Sequence, residues 1–453
     1  MKMKRENRYP AILIVFLCVM VIPCTAIEPD WKYSDEKITI GDIFISPDGS
    51  SVIAAAGKVL LLSRDGTILA KEPYGEIIAQ SGNGNIIVSS YSSVVASTVY
   101  VFKKSRGSTG TPELKKQWEK TLANRIDDFA VSEKGDRIAL VGGGLGVHLY
   151  DGESGNLVGF SDSYSSQIAM SDKGNVIAGI SFTEGLKLYT SRGGLKKKFD
   201  VNLAGQTTDF LMGSDGNIVV FNTGPYLIAY NITGGSELWK KRSSGDIGMI
   251  AMTPSGNRIV AGTGNGAVEC YDINGTLSWK YRIENSTESG HAVKSVAVTG
   301  DGSNIIAGTD DGKILFLGPD GNVLGIYDEG QHSIHHLAIA NDSSLAVAAG
   351  DHVLLGFTSG LQNITQTEAM SKTPLVTRTF PSAGYPAGPH DSSSIQTTTI
   401  YTPLRVTFPD TPSVTITEYS VIRKATQSTV NNLYTIICIG LVVFCIGRFA
   451  KER

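Results

Sequence analysis

Cysteine, histidine and net charge are all scarce in this chain, and each shortage removes a class of explanation. Of five cysteines, Cys18 and Cys24 lie near the N-terminus and Cys438 and Cys445 near the C-terminus, which leaves Cys270 alone between them. A single thiol forms no internal disulfide, so the intervening residues must be held by a large apolar core. Seven histidines are few for a metal centre, and a formal net charge of −3 gives no basic excess for a nucleic-acid partner. Catalytic signatures are missing too: there is no G-x-S-x-G elbow, no H-E-x-x-H, no C-x-x-C and no P-loop. No segment between the two ends keeps a helical period. Glycine, in contrast, is plentiful at 51 residues without a collagen repeat, as expected of many tight turns between short strands.

The two ends read as membrane signals. Lys2, Lys4, Arg5 and Arg8 precede an apolar run from Ala11 to Pro23, and small residues follow to Ala26. That is the order of a secretory signal over 1–26. At the other end, within 431–450, Leu433 to Gly447 is apolar apart from Tyr434 and Thr435; Arg448 and a basic tail over 451–453 follow. With Arg448 snorkelling and Tyr434 at the interface, this stretch is long enough for one transmembrane helix. The positive-inside rule then places the C-terminus in the cytoplasm and the bulk of the chain outside. Between 361 and 430, 23 of 70 residues are Ser or Thr and seven are Pro. That composition resists packing and reads as a disordered, extended stalk.

A repeat fills the stretch from 27 to 360. Turns of the form S/T-x-x-G recur as "SPDG", "SGNG", "SEKG", "SDKG", "GSDG", "TPSG" and "TGDG", with a degenerate "NDSS" as the eighth. Their last residues are 35, 51, 39, 42, 40, 46 and 42 apart. Each turn is entered by a short apolar strand such as "DIFIS" or "DFAVS" and left by one such as "RIVAGTG". A third strand ("AVECYDING") and a fourth, often aromatic ("SELWKK", "LSWKYR"), complete the unit. Eight four-stranded meanders stacked face to face give an all-β, eight-bladed propeller of antiparallel blades. The eighth unit, "HHLAIANDSSLAVAAGDHVLLGFTSG", supplies only three strands. Trp31, Lys32 and Tyr33 repeat the outer-strand tripeptide Trp279-Lys280-Tyr281, so they are expected to close the ring as its missing strand.

The stretch "AYNITGGSELW" resembles the A-x-D-x-x-x-G-x-x-x-W docking repeat of quinoprotein-type (PQQ-like) propellers, with Asn231 in place of the Asp. "GHAVKSVAVTGDGSNIIAGTDDGKILFL" is similar to a WD-repeat blade, including Gly290-His291 and Asp311-Gly312. The mixture, with its signal and anchor, resembles archaeal surface proteins, methanogens especially. The resemblance implies the fold and no activity: quinoprotein dehydrogenases are longer and often carry adjacent cysteines, which this chain lacks.

No catalytic, cofactor or metal residues are assigned. His335 and His336 point to opposite faces of one strand and cannot share an ion well. The Asp-rich turns lack the spacing that wraps calcium. Five sequons, at Asn231, Asn274, Asn285, Asn341 and Asn363, are candidates for N-glycosylation. The expected function is a non-enzymatic cell-surface binding or scaffold propeller whose partner is a protein or glycan of the envelope. Rival expectations are a quinone-cofactor or carbohydrate-active enzyme, favoured by converging carboxylates or histidines in the funnel, and a structural surface-layer component.

Overall fold

Strands of three to seven residues dominate because the apolar runs are short and each ends at a turn glycine. The computed structural model describes residues 25–36, 39–73, 75–93, 96–107, 110–205, 207–283, 291–330 and 332–358, and the short strands 404–406 and 414–416. Eight sheets form the blades: seven contain a meander of four antiparallel strands in sequence order, and the eighth is completed from the N-terminus. Blade 1 runs Ile43–Ile45, Ser51–Ala55, Lys58–Ser63, Ile68–Pro73, and blade 7 ends with Lys313–Leu317 and Val323–Asp328. The last blade joins Ile334–Ile339, Ala346–Gly350 and Val353–Phe357 to the N-terminal strand Trp31–Ser34, in antiparallel register Trp31↔Gly356 to Ser34↔Val353.

The core is not one mass. Eight separate clusters of buried apolar side chains occur, one at each junction between neighbouring blades. Residues on the second and third strands are buried on both faces, as at Val52–Ala55 and Val59–Leu62, because each sheet is sandwiched between two others. Close approach needs small residues. A Cβ on Gly262 would lie 2.5 Å from Val293 of the next blade, and one on Gly308 would lie 2.5 Å from Ile334.

Four junctions share one device at the rim. Trp31, Trp118, Trp239 and Trp279 each lie on an outer strand. Their indole N–H groups donate to the carbonyls of Arg64, Gly152, Ile273 and Pro319 on the following blade, at 2.8, 2.9, 2.8 and 2.8 Å. Each ring covers a turn glycine. A Cβ at Gly66, Gly155, Gly275 or Gly321 would meet the indole at 2.6 to 2.8 Å, and all four have positive φ, so neither the space nor the backbone suits a side chain. The docking repeat therefore bolts one blade to the next.

The junction between blades 7 and 8 is built differently. Gly325 occupies the Trp register there, paired with Phe316 as Trp279 is with Cys270. A two-residue strand, Thr25–Ala26, runs parallel to the outer strand beside Gly325 and Ile326, and Ile27 is buried among Phe316, Ile334 and Phe357. The sheet of blade 7 thus takes in Thr25 and Ala26, the last two residues of the stretch read as a signal.

A second unit contributes one described element, a hairpin in which Leu404–Val406 pairs antiparallel with Val414–Ile416. It falls inside the segment expected to be a disordered stalk; Val406 and the β-branched run Val414-Thr415-Ile416 suit paired strands. The expected transmembrane helix and cytoplasmic tail, and residues 1–24 of the expected signal, lie outside the described residues.

Candidate functional site in the central channel

The inner strand of every blade lines the central channel, and its residue four positions before the turn to the second strand (the A–B turn, which in blade 8 starts at Ala340, one residue ahead of "NDSS") falls in the same register. Around the ring these are Asp42, Ile77, Asp128, Gln167, Asp209, Met249, Ser295 and His336. Blades 1, 3 and 5 therefore present a carboxylate. Each reaches the inner strand of the next blade. Asp128 Oδ2 accepts the Ile168 N–H at 2.9 Å, Asp209 Oδ2 accepts the Ile250 N–H at 2.6 Å, and Asp42 accepts from the Ile78 backbone. Gln167 Nε2 donates to the Thr208 carbonyl at 2.7 Å and Ser295 Oγ to the Ile334 carbonyl at 3.0 Å. His336 Nδ1, 3.5 Å from Asp42 Oδ1, joins blade 8 back to blade 1.

These acids are half-exposed by surface area yet closely surrounded by protein. Burial pushes Asp128 up to about 7 against the pull of the Ile168 and Phe129 N–H groups, with the charge of Asp42 adding to the rise. Burial likewise pushes Asp209 up to about 6. Asp42 is raised by burial despite His336, and His336 is lowered by burial despite Asp42. Carboxyl groups near neutrality can serve as general acids or bases. Here the first demand on each is the neighbour's backbone N–H, so the column works as a staple between inner strands. A tricarboxylate quinone does not fit it: the register offers three carboxylates and neither Lys nor Arg.

The far end of the channel is drawn in by the A–B turns. Asn83 N–H donates to Glu133 O, Glu133 N–H to Asp172 O, Asp172 N–H to Ser214 O and Ser214 N–H to Pro254 O, all at 2.9 to 3.0 Å. The relay stops at blade 6 because Pro254 has no N–H to pass on.

The histidines do not converge. His335 Nε2 pairs with Asp351 at 2.9 Å while His336 turns to Asp42, and His332 meets His352 edge to face with ring centroids 6.3 Å apart. His291 Nδ1 and Lys313 Nζ share Asp311 Oδ2, both at 2.5 Å. Among the described residues, no group of three His, Cys, Asp or Glu side chains could hold a metal ion. Two buried charges sit at one register of the third strand. Glu269 is held by Tyr271, Ser243, the Ser244 N–H and Lys280. Lys187 is held by the Tyr164 carbonyl and by Glu184 at 3.2 Å.

Trp31, Lys32 and Tyr33 lie in the strand that completes blade 8, with Lys32 paired to Glu329. Of the sequons, Asn274 and Asn341 are exposed in turns. Asn231 is half-buried, its side-chain oxygen accepting from Thr233 and the Gly234 N–H. Asn285 and Asn363 lie outside the described residues. Sequence reasoning missed the channel carboxylates, although their signal is present: "DIFIS" and "DFAVS" each start with an acid inside an apolar strand.

Comparison with known proteins gives a fold and a family. The family model described as "Outer membrane protein assembly factor BamB", of the PQQ_2 type, matches residues 172–407. No curated protein sequence matches the chain. The C-terminal WD40 domain of Sif2 superposes with a TM-score of 0.59 at 13% identity, covering 74% of this chain and 98% of that one. Chaetomium thermophilum Sqt1, solved bound to the N-terminus of the ribosomal protein L10, superposes with a TM-score of 0.59 at 16% identity, covering 73% of this chain and all of its own.

Proposed function

Because the chain belongs to the PQQ_2 family, that of the outer membrane protein assembly factor BamB, we propose that it is a non-enzymatic binding or scaffold propeller of a cell envelope. The observation that carries this reading is the use of the channel carboxylates: Asp42, Asp128 and Asp209 hold backbone N–H groups of the next blade. Two further points support it. The family's description names an assembly factor, and the Sqt1 propeller was solved with a segment of another protein bound. In this reading the propeller faces outward on the segment 361–430, with 431–450 in the membrane and the C-terminal tail in the cytoplasm. Of the described sequons, Asn274 and Asn341 are the best placed to carry glycans.

Photo-crosslinking of the full chain in its own membranes tests the binding role. One dominant adduct, identified by mass spectrometry and recovered again from the partner's side, is the expected result. Adducts no different from those of an unrelated membrane-anchored domain would end the reading. One rival is a cofactor-dependent enzyme. Titrating the protein with the quinone and calcium should leave the quinone spectrum unchanged; a saturable spectral shift would favour the enzyme.

A further inference from the structure

One hairpin departs from the repeat. The turn-to-turn interval across blade 2 is 51 residues, the longest of the seven. Its outer two strands, Ser97–Arg106 and Pro112–Leu122, have ten and eleven residues, whereas the corresponding strands elsewhere have four to seven. The blade's second strand stops pairing at Ile86↔Lys103, yet the hairpin continues through Leu114↔Lys104 to Pro112↔Arg106. Three paired residues per strand therefore overhang the face that carries the A–B turns, a reach of about 10 Å.

The base of the overhang is fixed. The Lys104 N–H donates to the Asn85 carbonyl at 2.8 Å, Lys104 Nζ donates to Ser51 Oγ of blade 1 at 3.0 Å, and Leu114 is buried in the cluster shared with blade 1. Beneath it lies a cleft of about 600 Å³, a volume suited to a ligand or a short chain segment. Its floor is made by Pro47, Asn83, Asn85 and Glu133 from the turns of three blades, and its wall by Arg106 and Pro112. In repeat scaffolds an insertion confined to one repeat commonly forms the binding face.

The charge of the arm names the ligand. Residues 103–116 contain Lys103, Lys104, Arg106, Lys115 and Lys116 against Glu113 alone, in a chain of net charge −3; Lys116 pairs with Glu119 just beyond, and Lys104 and Arg106 are the cations that line the cleft. The Arg106 guanidinium is exposed and has no partner among the described residues. On the floor, Asn83 Oδ1 is engaged by Ser81 and the Asn85 N–H, which leaves its amide N–H₂ to donate to a main-chain carbonyl. We propose that this cleft binds an extended, acidic polypeptide segment, with Arg106 forking a carboxylate and the floor amides reading the main chain. A polyphosphate fits less well. Asp48 and Glu133 also line the floor, and no lining residue is aromatic, so the phosphates would meet carboxylates and the bases would have nothing to stack on. An extended peptide turns alternate side chains to opposite sides, so its acids can face the arm while its other positions face the floor.

This proposal rests on the binding reading above and narrows it. The test uses the full chain in detergent and three labelled probes: a peptide of alternating glutamate and threonine, its lysine–threonine counterpart, and an oligothymidylate of equal length. Polarisation should report binding of the acidic peptide alone, weakened roughly tenfold or more by Arg106→Glu, the loss expected when a favourable charge contact becomes repulsive. Lys196→Glu, an exposed reversal on the outer strand of blade 4, should leave binding unchanged. Equal binding by the Arg106→Glu variant, an equal loss in Lys196→Glu, or a preference for the oligonucleotide would each overturn the cleft while leaving the binding reading intact. No binding of any probe would also overturn the cleft, and the crosslinking result would still decide the broader role.

Discussion

Replacing Asp209 by Asn should stabilise the propeller at alkaline pH and do nothing at acid pH. The carboxyl group is raised from 3.8 to about 6 by burial. A raised acid binds its proton more tightly in the folded state, so the sign is opposite to that of a salt-bridged carboxylate. Below 3.8 both states are protonated and no penalty exists. As pH rises from there to about 6 the unfolded chain ionises freely while the fold resists, and above 6 the penalty is complete. Two pKa units correspond to about 3 kcal/mol, and water in the channel should reduce that to about 1–2 kcal/mol. Asn cannot ionise, yet its side-chain oxygen can still accept the Ile250 N–H now bound at 2.6 Å. For a domain of this size the gain amounts to roughly 2–4 °C in melting temperature. Melting curves of parent and variant across a pH series would show the two converging near pH 4, about the unfolded value. A variant less stable than the parent at high pH would refute the reasoning. It would mean that the ionised carboxylate has a favourable partner in the channel.

The other predictions concern packing and reactivity. Trp31→Ala removes the indole that donates to Arg64 and covers Gly66, and should cost about 2–4 kcal/mol, read as a drop of several degrees in the melting temperature. Gly321→Ala puts a methyl 2.6 Å from Trp279 at φ 78, so about 1–3 kcal/mol should be lost; chemical denaturation checks it, and an unchanged midpoint would mean the rim yields easily. Cys270 is buried and pushed up to about 11, so at pH 8 about one thiol in a thousand is ionised. A thiol-specific reagent should leave Cys270 unmodified in the native chain and react with it once denaturant is added; rapid labelling of the native protein would contradict its place in the seam between blades 6 and 7.

The turn signals made the architecture legible because the repeats carry their own punctuation: a Ser or Thr opens six of the eight turns, a glycine closes seven, and the intervals between run from 35 to 51. Even the overhanging hairpin was visible as an interval of 51. Other features stayed hidden for two different physical reasons. Thr25 and Ala26 belong to a stretch that also satisfies the pattern of a secretory signal, and a two-residue parallel strand has no periodicity to detect. The channel acids were visible as residues and invisible as a site. What an aspartate does on an inner strand depends on which atom faces it from the next blade, about 40 residues on, and spacing along one chain carries no such information.

The N-terminal segment bears on two seams at once, and that links sequence to cooperativity. Trp31 bolts blade 8 to blade 1 through Arg64 and Gly66, while Ile27 fills the seam between blades 7 and 8, where Gly325 stands in the Trp register. Each blade leaves apolar faces that only its neighbours can cover, so the ring gains its last cluster of buried side chains only when both chain ends of the propeller are in place. Closure by one short segment therefore couples blades 7, 8 and 1. Ile27→Asp, which leaves Trp31–Ser34 free to pair, tests that coupling. It buries a charge among Phe316, Ile334 and Phe357 and should cost several kcal/mol. If the three blades act as one unit, hydrogen exchange will quicken in blade 1 as well as in blades 7 and 8. Faster exchange confined to the 7–8 seam would show the two contacts to be independent.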